Sequence, residues 1–101
     1  MAPVWTGERP ATSDVQNIAD AVKSSVEHHI GHKLPTYIAK TCRDQDQPSM
    51  LGKLYLIKID ISNNNVLHIE VFVPRQHSIS DSVLLAVVEN FRMSDPLEPL
   101  V

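Results

Sequence analysis

Cysteine is nearly absent: Cys42 stands alone in 101 residues, so no intramolecular disulfide can form. Secreted domains of this size commonly depend on disulfides, so the single thiol points to a reducing compartment. Basic charge is not in excess either. Lys and Arg number 9 against 12 Asp and Glu, giving a formal net charge of −3, and the charges are interspersed. That leaves no electrostatic footprint for nucleic acid. No apolar run is long enough to span a bilayer. The first ten residues, Met1 to Pro10, lack the basic start and apolar middle of a secretory signal, which favours a cytoplasmic location. Aromatic residues make up only 5% of the chain, yet its apolar share of 43% is that of an ordinary globular protein and not of a disordered one. The length suits one domain, expected to cover residues 1–101.

Catalytic signatures are missing as well. There is no Gly-rich phosphate loop, no Cys-x-x-Cys and no Gly-x-Ser-x-Gly, so the chain is not expected to be an enzyme or to need a cofactor. One cluster imitates a metal site: His28-His29-Ile30-Gly31-His32. His28 and His32 have the spacing that places two imidazoles on one helical face. Gly31 is expected to end the helix between them, however, and no third ligand follows. Surface histidines at a helix C-terminus, favoured there by the helix dipole, account for the pattern, and no metal is expected.

What is present reads as α+β. Met1 to Thr12 has proline, glycine and no periodicity, an extended arm. Ser13 suits a helix N-cap, with Gln16 completing a capping box. Val15, Ile18, Ala19, Val22, Val26 and Ile30 recur at helical spacing, predicting one helix over Asp14 to Ile30 that Gly31 ends. The period then changes. Thr36 to Arg43 is rich in β-branched and aromatic residues. Leu54 to Ile61 alternates, with Tyr55, Ile57, Ile59 and Ile61 on one face. Val66 to Val73 alternates too, with Leu67, Ile69, Val71 and Val73 against His68 and Glu70. The Ser62-Asn63-Asn64-Asn65 turn makes these last two a hairpin. A polar loop near Pro74 to Ser80 precedes a last strand over Val83 to Phe91, and the prolines of Asp95 to Val101 forbid a further one. A helix with an apolar stripe and a sheet with one apolar face pack as two layers. The expected core is Val15, Ile18, Val22, Val26, Tyr55, Ile57, Ile59, Leu67, Ile69 and Val71. A sheet edge is free to recruit a strand from the arm.

Five segments, in order, carry a family resemblance. They are Pro10-Ala11-Thr12, Gln16-Asn17-Ile18-Ala19-Asp20-Ala21-Val22, Leu34-Pro35, Tyr55-Leu56-Ile57-Lys58-Ile59 and His68-Ile69-Glu70-Val71-Phe72. Together they resemble the stefins, the intracellular type 1 branch of the cystatin superfamily. The resemblance implies a cystatin-like fold, one long helix packed on an antiparallel sheet of four to five strands. It also implies reversible, non-covalent inhibition of papain-like cysteine proteases of the cathepsin type, by a monomer or a domain-swapped dimer. In that family a wedge occludes the catalytic cleft. Its parts are an arm containing a glycine, a first hairpin loop reading Gln-Val-Val-Ala-Gly and a second loop with Leu-Pro.

Carried over position by position, the protease-binding residues are Pro3, Val4 and Trp5 in the arm, Gln45, Asp46, Gln47, Pro48 and Ser49 in the first loop, and Val73 and Pro74 at the second. Each part departs from the family pattern. The arm has no glycine where one is expected, and Gly7 lies too close to the helix to replace it. Aligned from Leu34-Pro35, the first loop matches only at Gln45. Aligned back from Tyr55, Gly52 takes the glycine's place after Pro48-Ser49-Met50-Leu51. The second loop reads as a shortened Val73-Pro74, or as Arg75-Gln76 if length is kept. An unpaired carboxylate at Asp46 would be costly to bury against a protease. Trp5 serves either as an aromatic anchor for the target or as cover for the sheet edge. The alternative function is a cystatin-fold binding module that no longer inhibits.

Overall fold

The structure, a computed structural model, describes residues 4–75 and 78–101. Helices α1 (Ser13–Ala21) and α2 (Lys23–Ile30) lie on a sheet built from β1 (Arg9–Pro10), β2 (Ile38–Gln47), β3 (Gly52–Asp60), β4 (Val66–Pro74) and β5 (Val83–Phe91). The strands follow in chain order across the sheet, and every neighbouring pair is antiparallel. The arm supplies β1, pairing Arg9 with Cys42 and Pro10 with Thr41.

Two helix expectations change. Thr12, not Ser13, is the N-cap, its hydroxyl accepting from the Val15 N–H. Gln16 is drawn away from a capping box: its amide oxygen accepts from the Ala39 N–H at 2.8 Å and its NH2 donates to the Tyr37 carbonyl at 3.2 Å. It therefore ties the helix to the start of β2. The single helix is also divided at Val22, whose φ of −106° and ψ of 7° leave the α region. The Ala19 carbonyl, which a continuous helix would give to the Lys23 N–H, instead accepts the buried Tyr37 hydroxyl at 2.8 Å and the Val22 N–H at 3.2 Å. Gly31 ends α2 at φ 98°, a conformation glycine adopts without strain.

The core forms where expected. Val15, Ile18, Ala19, Val22 and Val26 of the helices meet Ile57, Ile59, Leu67, Ile69 and Val71 of the sheet, all buried, and Tyr55 is partly buried beside them. In the β3–β4 hairpin Ser62, Asn63 and Asn64 all take positive φ, which asparagine tolerates better than most residues.

The sheet's other face is covered too. Leu56, Val66 and Leu97 are buried outside the helix-side core. The Lys58 ammonium, 3% exposed, donates to the carbonyls of Met93 and Asp95, both at 2.7 Å, and pairs with Glu8 at 2.9 Å. Buried Glu70 accepts the backbone N–H of Leu100 at 2.9 Å and of Val101 at 3.3 Å. The proline-rich tail thus folds back over the strands without adding one. No helix among the described residues is long and apolar enough to cross a membrane.

Candidate functional site

The strand register decides which loops meet. Gln47 pairs with Gly52, and Gly52 pairs with Pro74, so the β2–β3 turn and the start of the β4–β5 connection lie side by side at one end of the sheet. The arm runs toward the same end. It is antiparallel to β2, its Thr6 N–H donates to the Asp44 carbonyl at 2.8 Å, and Arg43 donates back to the Thr6 carbonyl at 2.8 Å. Val4 and Trp5, the described residues before Thr6, therefore lie past Asp44 toward the turn.

The first-loop candidates divide between strand and turn. Gln45, Asp46 and Gln47 continue β2, opposite Leu54, Lys53 and Gly52. The chain reverses over Pro48–Met50, a single 3-10 turn begun by proline, and Leu51 follows at φ 54°, ψ 49°. Positive φ is unusual for a leucine and carries strain. Two hydrogen bonds hold it: the Leu51 N–H donates to the Pro48 carbonyl at 3.2 Å, and the Leu51 carbonyl accepts from the Arg75 N–H at 2.8 Å. The tip is apolar and open, with Met50 55% and Leu51 67% exposed. Pro48 and Ser49 are exposed beside them.

Gly52 marks a close approach. A Cβ there would stand 2.5 Å from the Val73 carbonyl oxygen and 2.6 Å from Cζ of Phe72, so only glycine lets β4 lie this tightly against the base of the turn. Val73 and Pro74, the second-loop candidates, end β4 in half-buried positions. In the arm, Val4 is 75% exposed and Trp5 half-buried. Pro3 lies outside the described residues, as does Gln76 of the length-preserving alignment.

Charge at this end is paired. The Arg75 guanidinium bonds the Asp46 carboxylate across β3, both side chains about half exposed. Further in, Asp44 takes Arg9 at 3.0 Å and Lys53 at 3.7 Å. Asp46 therefore meets a cation from the second loop instead of standing alone. Sequence reasoning missed that partner, although the β2–β3–β4 register, once drawn, places Arg75 just past the residue facing Gly52.

Among the described residues, the other reactive side chains are not brought together. Cys42 is buried, and burial pushes its thiol pKa up, the opposite of an activated nucleophile. Among the described residues no group of three or more His, Cys, Asp or Glu side chains could hold a metal. His28 and His29 lie exposed in the last turn of α2, and His32 lies beyond Gly31. A polar hollow of about 920 Å³ opens at the far end of the sheet, lined by residues that include Asn63, Asn64, Asn90 and Arg92 but no histidine or cysteine.

Among known proteins, cystatin-B of Ovis aries is 33% identical over 97 residues, covering 96% of this chain and 96% of the relative. The chain belongs to the stefins. Cystatin-B of Bos taurus is 33% identical over 89 residues, 88% of each chain, and stefin-C of Bos taurus is 33% identical over 93 residues, 92% of this chain and 89% of the relative. No family model matches. Two helical segments on a five-stranded antiparallel sheet are the α+β architecture expected of a stefin. Stefins form a family of cysteine-protease inhibitors rather than enzymes, so the apolar end of the sheet, rather than the polar hollow, is the candidate site.

Proposed function

We propose that this stefin inhibits papain-like cysteine proteases of the cathepsin type, reversibly and without a covalent bond, by lodging one end of its sheet in the catalytic cleft. It would act in the cytoplasm as one cystatin-like domain over residues 1–101. The parts engaging the protease are the arm at Pro3, Val4 and Trp5, the first loop from Gln45 to Ser49 with its tip extended through Met50 and Leu51, and the second loop from Val73 and Pro74.

One observation carries the reading: Val4, Met50 and Leu51, all large, apolar and more than half exposed, belong to segments that converge at a single end of the fold. Apolar side chains left in water at a convergent tip gain by burial in a cleft, on the order of 25 cal/mol for each Å² covered. The wedge needs no reactive group, since occlusion suffices.

The tip is the place to test it. Met50→Asp combined with Leu51→Asp should weaken papain inhibition at least tenfold, about 1.4 kcal/mol, with the circular dichroism spectrum unchanged. Unchanged inhibition by that variant would remove the tip from the site. A second reading, a binding module without inhibitory activity, draws on the same turn, whose Pro48-Ser49-Met50-Leu51 before Gly52 differs from the family's Gln-Val-Val-Ala before its glycine. It would be favoured if the wild-type chain left every papain-like protease active.

A further inference from the structure

One residue, Arg75, ties the two loops of the wedge together at two points. Its backbone N–H donates to the Leu51 carbonyl at 2.8 Å, fixing the strained end of the first turn. Its guanidinium reaches over β3 to the Asp46 carboxylate on β2, and Asp46 lies just before the same turn. Arg75 itself is the first residue after β4, so it is also the root of the second loop. Gly52 lets β4 come close enough for both bonds to be made.

Resting on the inhibitory reading above, we infer that Arg75 is a positioning residue that clamps the first and second loops into one rigid wedge, with Asp46 as its counter-ion. The carboxylate, costly to bury alone, is presented to the protease already neutralised. The clamp sets the position of Met50 and Leu51 relative to the second loop before binding, so less ordering remains to be done in the complex. An exposed ion pair of this kind adds little to global stability, so its effect belongs to recognition. It is also screened by salt, which makes inhibition ionic-strength dependent through these two residues.

A double-mutant cycle in the full chain tests this, with papain as the probe and global stability followed by urea unfolding. Asp46→Asn and Arg75→Gln should each weaken inhibition about tenfold with the unfolding midpoint unchanged, and the two losses should not add. The charge-swapped variant, Asp46→Arg with Arg75→Asp, should recover affinity to within about threefold of wild type, which a merely bulky or structural role would not allow. Additive losses, or a swap weaker than either single variant, would overturn the inference. Amide hydrogen exchange of the free protein separates this from the inhibitory reading. The Arg75 N–H should exchange about tenfold faster in Asp46→Asn, with the Ile69 N–H of the core strand unaffected. If that acceleration is seen but wild type inhibits nothing, the inhibitory reading falls and the clamp stands. If wild type inhibits but neither exchange nor affinity responds, the clamp falls alone.

Discussion

Lowering the pH from 7 to 5 should cost this fold about 2 kcal/mol through His68 alone. His68 is fully buried on the tail-covered face of the sheet, stacked on Phe91 with ring centroids 3.8 Å apart and planes within 7°. Neither ring nitrogen has a hydrogen-bond partner among the described residues. Its cross-strand neighbour is the buried ammonium of Lys58. Burial first, and the Lys58 charge second, depress its pKa from 6.5 to about 4, against weaker opposition from Glu8 and Asp95. The sign follows from proton binding. Between pH 6.5 and 4 the unfolded chain carries a proton on this residue that the native state refuses, so stability is present above pH 6.5 and lost as pH falls. The full loss approaches about 3 kcal/mol near pH 4, with about 2 kcal/mol already gone at pH 5. Urea unfolding at pH 7, 6 and 5 measures it, with His68→Phe as the reference. That variant keeps the stack on Phe91, removes two orphaned polar atoms and does not titrate. Wild type should lose about 2 kcal/mol more than His68→Phe over that range. Equal pH dependence of the two proteins, or an NMR titration placing His68 at 6.5 or higher, would show that burial does not depress its pKa.

Other consequences are simpler. Ile57→Ala, at a fully buried position under the helices, should cost roughly 2–5 kcal/mol in urea unfolding, a large part of a small domain's stability. Gly52→Ala puts a Cβ 2.5 Å from the Val73 carbonyl oxygen, so it should destabilise by roughly 1–3 kcal/mol, and by nothing measurable if β4 does not press on the turn. Stoichiometric zinc should leave the melting temperature unchanged, since His28 and His32 are separated by the end of α2; a rise abolished by His28→Ala would show that they bind it together.

Much of the fold was legible because it rests on periodicity. Ile57, Ile59, Leu67 and Ile69 alternate plainly enough to set the core face of both central strands, and Asn63-Asn64 announced the turn between them. Three features depend on contacts distant in sequence and escaped that reading. The break at Val22 involves the hydroxyl of Tyr37, and Gln16 left its capping box for the backbone of β2. Lys58, His68 and Glu70, which alternation assigns to a polar face, are buried because the tail from Met93 to Val101 lies over them. Glu8 joins that arrangement from the arm. Burial works against its charge, but hydrogen bonds from Thr41, Lys58 and the Leu97 N–H hold its carboxyl below the usual range. At the candidate site, the family resemblance proposed three segments but gave none of their geometry. Gln45 to Gln47 read as loop because polar residues give no strand signal, while the pairing that carries β2 to Gln47 is supplied by β3.

The end of the sheet bearing Val4, Met50 and Leu51 is proposed to close the cleft of a papain-like protease. Titrating a fixed amount of active papain with the purified chain, then diluting the mixture, tests it most directly. Activity should fall until it saturates at one inhibitor per protease and should return on dilution, as a non-covalent wedge requires. Papain and cathepsin-type proteases that remain fully active at about 10 μM of the chain would contradict it.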